Sequence, residues 1–152
     1  MLIQNRLVDA AKSIISSSLA INGVTNWNVY GQFDNTDVKG IKYPHVRVQC
    51  WDEAPLYPYA KDGTRKATVE VLTYAIRVSG SNGNIGTLAS EFEQVSDYVF
   101  NPFFANGIEG NMTNVANNMV VLSVVEGGLE TSPLTDGWFA SQKLDVVGYR
   151  TA

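Results

Sequence analysis

The chain has 152 residues, 45% hydrophobic and 17% charged, with a formal net charge of -4, one Cys and one His. That length suits one domain, 1-152, able to bury about two-thirds of its unfolded surface. One cysteine excludes an internal disulfide framework, the want of any run of about 18 apolar residues excludes a membrane-spanning helix, and this hydrophobicity excludes a disordered chain.

Leu2, Ile3, Leu7, Ala10, Ala11, Ile14, Ile15 and Leu19 follow the 3, 4, 7 spacing of one apolar stripe, which predicts an amphipathic helix over residues 2 to 19. Asn22-Gly23 is its stop signal. Val24, Trp27, Val29, Tyr30 and Phe33 predict a short strand in irregular chain, and residues 34 to 40 are polar and turn-like. His45 to Trp51 alternates Val46, Val48 and Cys50 against His45, Arg47, Gln49 and Trp51, a strand with one side buried. Residues 67 to 79 carry apolar side chains on both faces, the mark of a central or doubly covered strand. Between these strands, residues 52 to 66 read as a wide hairpin arm or a functional loop.

A glycine link over residues 80 to 86 leads to a second helix, 85 to 100, with Leu88, Phe92, Val95 and Val99 as its stripe and Asn101-Pro102 as its stop. Glu91 and Glu93 read as lying early enough in that helix for its dipole to favour them. Met119 to Val125 is an apolar run of strand length, Gly127 to Gly137 reads as a loop, and Trp138 to Tyr149 as a last strand. The order predicts an α+β fold, an antiparallel or mixed sheet with two main helices packed on one side.

Charge is unevenly placed. Residues 1 to 77 hold nine cations and seven acids, residues 78 to 142 hold no cation and seven acids, and residues 143 to 152 hold two cations and one acid. A 65-residue stretch without a cation gives the fold an acidic side that repels phosphate, against sequence-specific nucleic-acid binding. The opening Met1-Leu2-Ile3-Gln4-Asn5-Arg6 lacks the order of a secretory signal, which predicts a reducing cytoplasm. The sequon Asn111-Met112-Thr113 is then inert.

Catalytic chemistry finds few footholds. One His and one Cys assemble neither a three-ligand metal site nor a triad, so His45 reads as a strand residue and Cys50 as a small buried hydrophobe. Gly80, Gly83 and Gly86 have the wrong spacing for a nucleotide cradle. Glu93 and Asp97, four apart on a helix face opposite the stripe, read as solvated like charges. No cofactor is expected. Trp51, Leu56, Tyr57 and Tyr59, with Pro55 and Pro58 between them and Lys61, Arg65 and Lys66 beside them, either cap the core or project as the aromatic anchors of a protein interface, and the second is preferred.

The layout of opening helix, strand after Tyr43-Pro44, long strand, glycine link, second helix, apolar strand and a last strand entered by Asp136-Gly137-Trp138-Phe139 resembles the tail terminator, or tail completion, proteins of tailed bacteriophages. The resemblance implies a non-enzymatic virion protein, made in the host cytoplasm, that forms a hexameric ring. The ring caps the tail tube protein, stops its polymerisation and joins the tail to the head-tail connector or stopper. Double-stranded DNA would pass through its lumen without specific binding. On that reading Trp51, Leu56, Tyr57, Tyr59 and Arg65 are candidates for the subunit or tube interface. Glu91, Glu93 and Asp97 are candidates for an acidic lumen, and strand edges near Met119 to Val125 or Trp138 to Tyr149 for pairing across subunits. The alternatives are another neck or tail ring component, either a head-completion stopper or the tail tube subunit, and a small α+β ligand-binding domain.

Overall fold

The computed structural model describes residues 3–32, 34, 44–56, 63–76, 85–103, 112, 118–134 and 137–151. The first apolar stripe forms helix α1, Gln4–Ile21, burying Leu7, Val8, Ala10, Ala11, Ile15 and Leu19. It ends as the Asn-Gly signal requires, with Gly23 at a φ of 75°, where a residue without Cβ is unstrained. The strands are β1 (Asn28–Gly31), β2 (His45–Pro55), β3 (Arg65–Ile76), β4 (Met119–Leu134) and β5 (Gly137–Arg150), with helix α2 (Ile85–Phe100) between β3 and β4. A 3-10 turn at Asn101–Phe103 follows α2.

One five-stranded sheet runs in the order β1-β2-β3-β5-β4. β1 lies parallel to β2, and every other neighbour is antiparallel, so the fold is α+β with a mixed sheet. Both helices cover one face. Register aligns Val46, Thr73 and Ala140, then Val48, Val71 and Gln142, then Cys50, Val69 and Leu144 on that face, all at most 3% exposed. The doubly apolar β3 is central, as its pattern predicts.

The opposite face carries a row of rings. His45 stacks on Tyr74 at 4.9 Å and meets the edge of Tyr30 at 5.6 Å, and Tyr74 meets Phe139 at 4.9 Å. His45 is therefore buried among aromatics, although it sits on the strand face expected to be open. Helix α1 passes close to β1: a Cβ on Gly31 would lie 2.7 Å from Lys12 Cδ and 3.0 Å from Val8 Cγ1. Lys12 pairs with Asp34 at 2.8 Å. Burial works to raise the Asp34 carboxyl, but the Gly31 N–H and the Lys12 ammonium outweigh it and hold the group below its ordinary value.

Three sequence readings are corrected. The segment from Gly127, expected to be a loop up to Gly137, continues β4 to Leu134, paired residue by residue with β5. Its polar, glycine-bearing sequence hid a strand that is fixed by its partner. The connection over 52 to 66 is shorter than expected, because β2 runs to Pro55, β3 begins at Arg65, and the Leu56 N–H donates to the Thr64 carbonyl at 3.0 Å. Glu91 and Glu93 lie beyond the first turn of α2, which holds no acid, and so outside the reach of the helix dipole.

A bulge in β2 ties helix to sheet. The register slips between Trp51 and Ala54, with Asp52 at a φ of 54°. The extra residue turns Glu53 from the ring-bearing face to the helix face. There Glu53 Oε1 accepts from the backbone N–H groups of Ile3 and Gln4 at 2.7 and 2.8 Å, and Oε2 accepts from Arg65 Nε at 2.7 Å. Helix α1 brings no side-chain cap and no acid in its first turn, so this carboxylate supplies both. Its side chain is 3% exposed. Glu53→Ala, which leaves two N–H groups and a part-buried guanidinium without their acceptor, is expected to cost about 3–5 kcal/mol in urea unfolding. Glu53→Gln, which still accepts at α1, costs less. Asp52→Gly is expected to be neutral or stabilising by up to ~1 kcal/mol, since glycine suits that φ.

Candidate functional site

Three surfaces stand out from the packed body, and they are built by different elements. The first is a groove of about 430 Å³ between α2 and the closed end of the β4–β5 hairpin, lined by Phe92, Glu93, Ser96, Asp97, Phe100, Thr131, Trp138 and Ala140. Phe92 and Trp138 stack in it with ring centroids 6.5 Å apart. Its walls are mainly apolar, with the two carboxylates exposed at the rim. The Ser96 hydroxyl and the Trp138 indole N–H are buried in this wall and have no hydrogen-bond partner among the described residues, a state that costs about 1–3 kcal/mol per group.

The second surface is the ring-bearing face of the sheet near Trp51, which is 46% exposed. Trp51, Thr68 and Asp145 form a row there, and the Thr68 hydroxyl donates to Asp145 at 3.1 Å. Lys143 lies 4.0 Å from Glu70 one row away. A cleft of about 200 Å³ follows these rows. Its lining holds three carboxylates, Asp52, Glu70 and Asp145, against the one ammonium of Lys143.

The third is the outer edge of β4. This 16-residue strand ends the sheet, with no strand beyond it among the described residues. Leu122 and Val125 on it are 54% and 56% exposed. Two bulges, at Val121/Ser123 and Glu126/Gly128, shift its alternation. Buried Gln142 holds the second, its amide donating to the Gly128 and Lys143 carbonyls at 3.1 Å.

The structure separates the residues that the sequence grouped. Of the lumen candidates, Glu91 turns inward, its Oε1 accepting from Asn26 Nδ2 and Trp27 Nε1 at 3.2 Å, and so fastens α2 to the segment before β1. Glu93 and Asp97 stay together, on the rim of the α2 groove beside the apolar stripe and not on a far solvent face. Of the interface candidates, Arg65 is held inward by Glu53, Trp51 stands on the ring-bearing face, Leu56 is half-buried at the foot of the arm, and Tyr57 and Tyr59 lie outside the described residues. β5 lies between β3 and β4, so the edge expected near Trp138 to Tyr149 is not free, whereas near Met119 to Val125 no further strand pairs with β4 among the described residues. The α2 groove escaped the sequence reading because Trp138 and Thr131 come from strands that meet the helix only in the fold. Phe100, on the helix but outside the named stripe, was the one signal.

Among the described residues, no group of three His, Cys, Asp or Glu is placed to hold a metal ion. No family model and no curated protein matches the sequence.

Cys50 behaves as a core residue, 3% exposed. Burial, with the Glu53 charge adding to it, pushes its thiol up to about 12. Its backbone N–H donates to Gln32 Oε1 at 2.6 Å. The native protein is therefore expected to resist thiol alkylation at neutral pH and to label only on unfolding, which mass spectrometry reads directly. A folded-state thiol raised above its unfolded value gives stability that is complete below about 9 and is lost as pH climbs towards about 12. Cys50→Ala is expected to flatten that alkaline fall.

Proposed function

We propose that this protein is a structural ring subunit of a tailed-phage virion, the tail terminator that its layout resembles. The observation that carries the reading is the β4 edge. A monomer usually blunts a strand edge with charge, proline, bulges or brevity. The later half of β4 carries such devices in Glu126, Glu130 and Pro133, but Met119 to Val125, with one bulge at Val121/Ser123, holds neither charge nor proline and exposes Leu122 and Val125. Such an edge is satisfied by a neighbouring subunit that adds a strand or packs against it.

Function then follows from closure. Subunits joined through unlike patches form a ring when the rotation closes, and a ring has two different faces. One face can match the last tube ring while the other refuses a further one and meets the connector. Termination needs surface alone. The acids of residues 78 to 142, wherever they border the lumen, would repel DNA phosphates and let the duplex slide.

Light scattering and negative-stain imaging test the reading. A closed particle near six times 16.6 kDa, with a central hole, that caps growing tail tubes is expected. Filaments would reassign the chain to the tube, and failure to cap would remove the terminator role. Val125→Lys is expected to shift assembly to at least tenfold higher concentration, by placing a charge in a desolvated contact. Its melting temperature should stay within a few degrees of the parent's, since the site is exposed.

A further inference from the structure

The groove beside α2 and the feet of the β2–β3 arm, Leu56 and Thr64, lie at opposite ends of the sheet, and the groove and the arm sequence are complementary in chemistry. We infer that the arm segment 56–61 of one copy docks into the α2 groove of the next. This rests on the self-assembly reading above and gives it a contact.

The groove offers aromatic walls and two rim carboxylates. It lies within the 65 residues that hold no cation. The arm reads Leu56-Tyr57-Pro58-Tyr59-Ala60-Lys61, and residues 56 to 66 hold three cations and one acid. Arg65 is committed to Glu53, which leaves Lys61 as the cation nearest the two tyrosines. A proline-bearing segment with flanking tyrosines suits aromatic walls, because proline limits the entropy lost on docking. The pairing is thus aromatic on aromatic and ammonium on carboxylate.

Distance makes the contact intermolecular. Arg65 pairs with Gly148 at one end of β3, and Thr73 and Ala75 pair with Ala140 and Trp138 at the other. Eight to ten strand residues span about 25–33 Å. The arm leaves at Leu56 and returns at Thr64, and an out-and-back excursion of that length reaches only about 12 Å. No copy can fill its own groove, and a contact between unlike patches at opposite ends is head-to-tail, the kind that builds rings or filaments.

Cysteine pairing tests this, since buried Cys50 does not compete. Tyr59→Cys and Thr131→Cys variants of the full chain, mixed and treated with a short bismaleimide, are expected to give a linked dimer that neither gives alone. Glu93→Lys with Asp97→Lys on the groove partner should lower the yield about tenfold, and Lys61→Glu on the arm partner should restore it. No linked dimer in a mixture that light scattering shows to be assembled overturns the docking and leaves the ring standing. If the protein stays monomeric, a peptide of residues 55 to 66 is titrated against it. A shift of the Trp138 indole N–H resonance upholds the docking, and no shift at millimolar peptide overturns it. A variant carrying both cysteines whose ladder never closes on a fixed number would uphold the docking and overturn the ring.

Discussion

The Glu53 carboxylate is where the separate parts of this fold become one. A helix opening without its own cap leaves backbone N–H groups unmet and a partial positive charge exposed. Here the remedy comes from the second strand, fifty residues away in sequence, and the same group also holds Arg65 on the third. Helix position, strand bulge and the foot of the arm are thereby coupled: moving any one breaks a bond to the others. The left-handed backbone at Asp52 is tolerated because a regular strand would have aimed Glu53 at the wrong face.

The two faces of the sheet divide the work. The helix side supplies the dry core, with α1 seated chiefly on β2 and β1, and α2 reaching across to β5. The other side is closed by a ladder of rings around His45 and opens into charged residues, mostly acidic, towards Trp51. Because α2 stops short of covering Trp138 fully, a groove remains at one end while the arm leaves from the other. The molecule therefore has unlike features at its two ends and one long flank, along β4, where no further strand pairs among the described residues.

Much of this was legible where periodicity is carried by side chains alone. Helix α2 matched its expected bounds because Phe92, Val95 and Val99 fall on one stripe and a proline follows. The first part of β2 was legible through Val46, Val48 and Cys50. The pattern failed at bulges and in borrowed structure. Leu122 and the residues around Gly127 break the alternation of β4, and its later half is polar, so only β5 beside it makes it a strand. Glu53 looked like one more acid in a loop, because a single left-handed residue redirects it. The pairing of Glu91 with Trp27, and of Trp138 with α2, joins segments too distant for spacing to foretell.

The strand order has a consequence for synthesis. β5 lies inside the sheet between β3 and β4, yet it is the last of the five strands to leave the ribosome. Until it arrives, β3 shows a long open edge and β4 has no neighbour, so the nascent chain carries two sticky margins and half a core. Pairings of such long range form slowly. A cell that translates this message faster than β5 can insert would lose chains to strand pairing between neighbours. The yield of soluble protein should therefore be set more by the residues that speed the last insertion than by the stability of the finished fold.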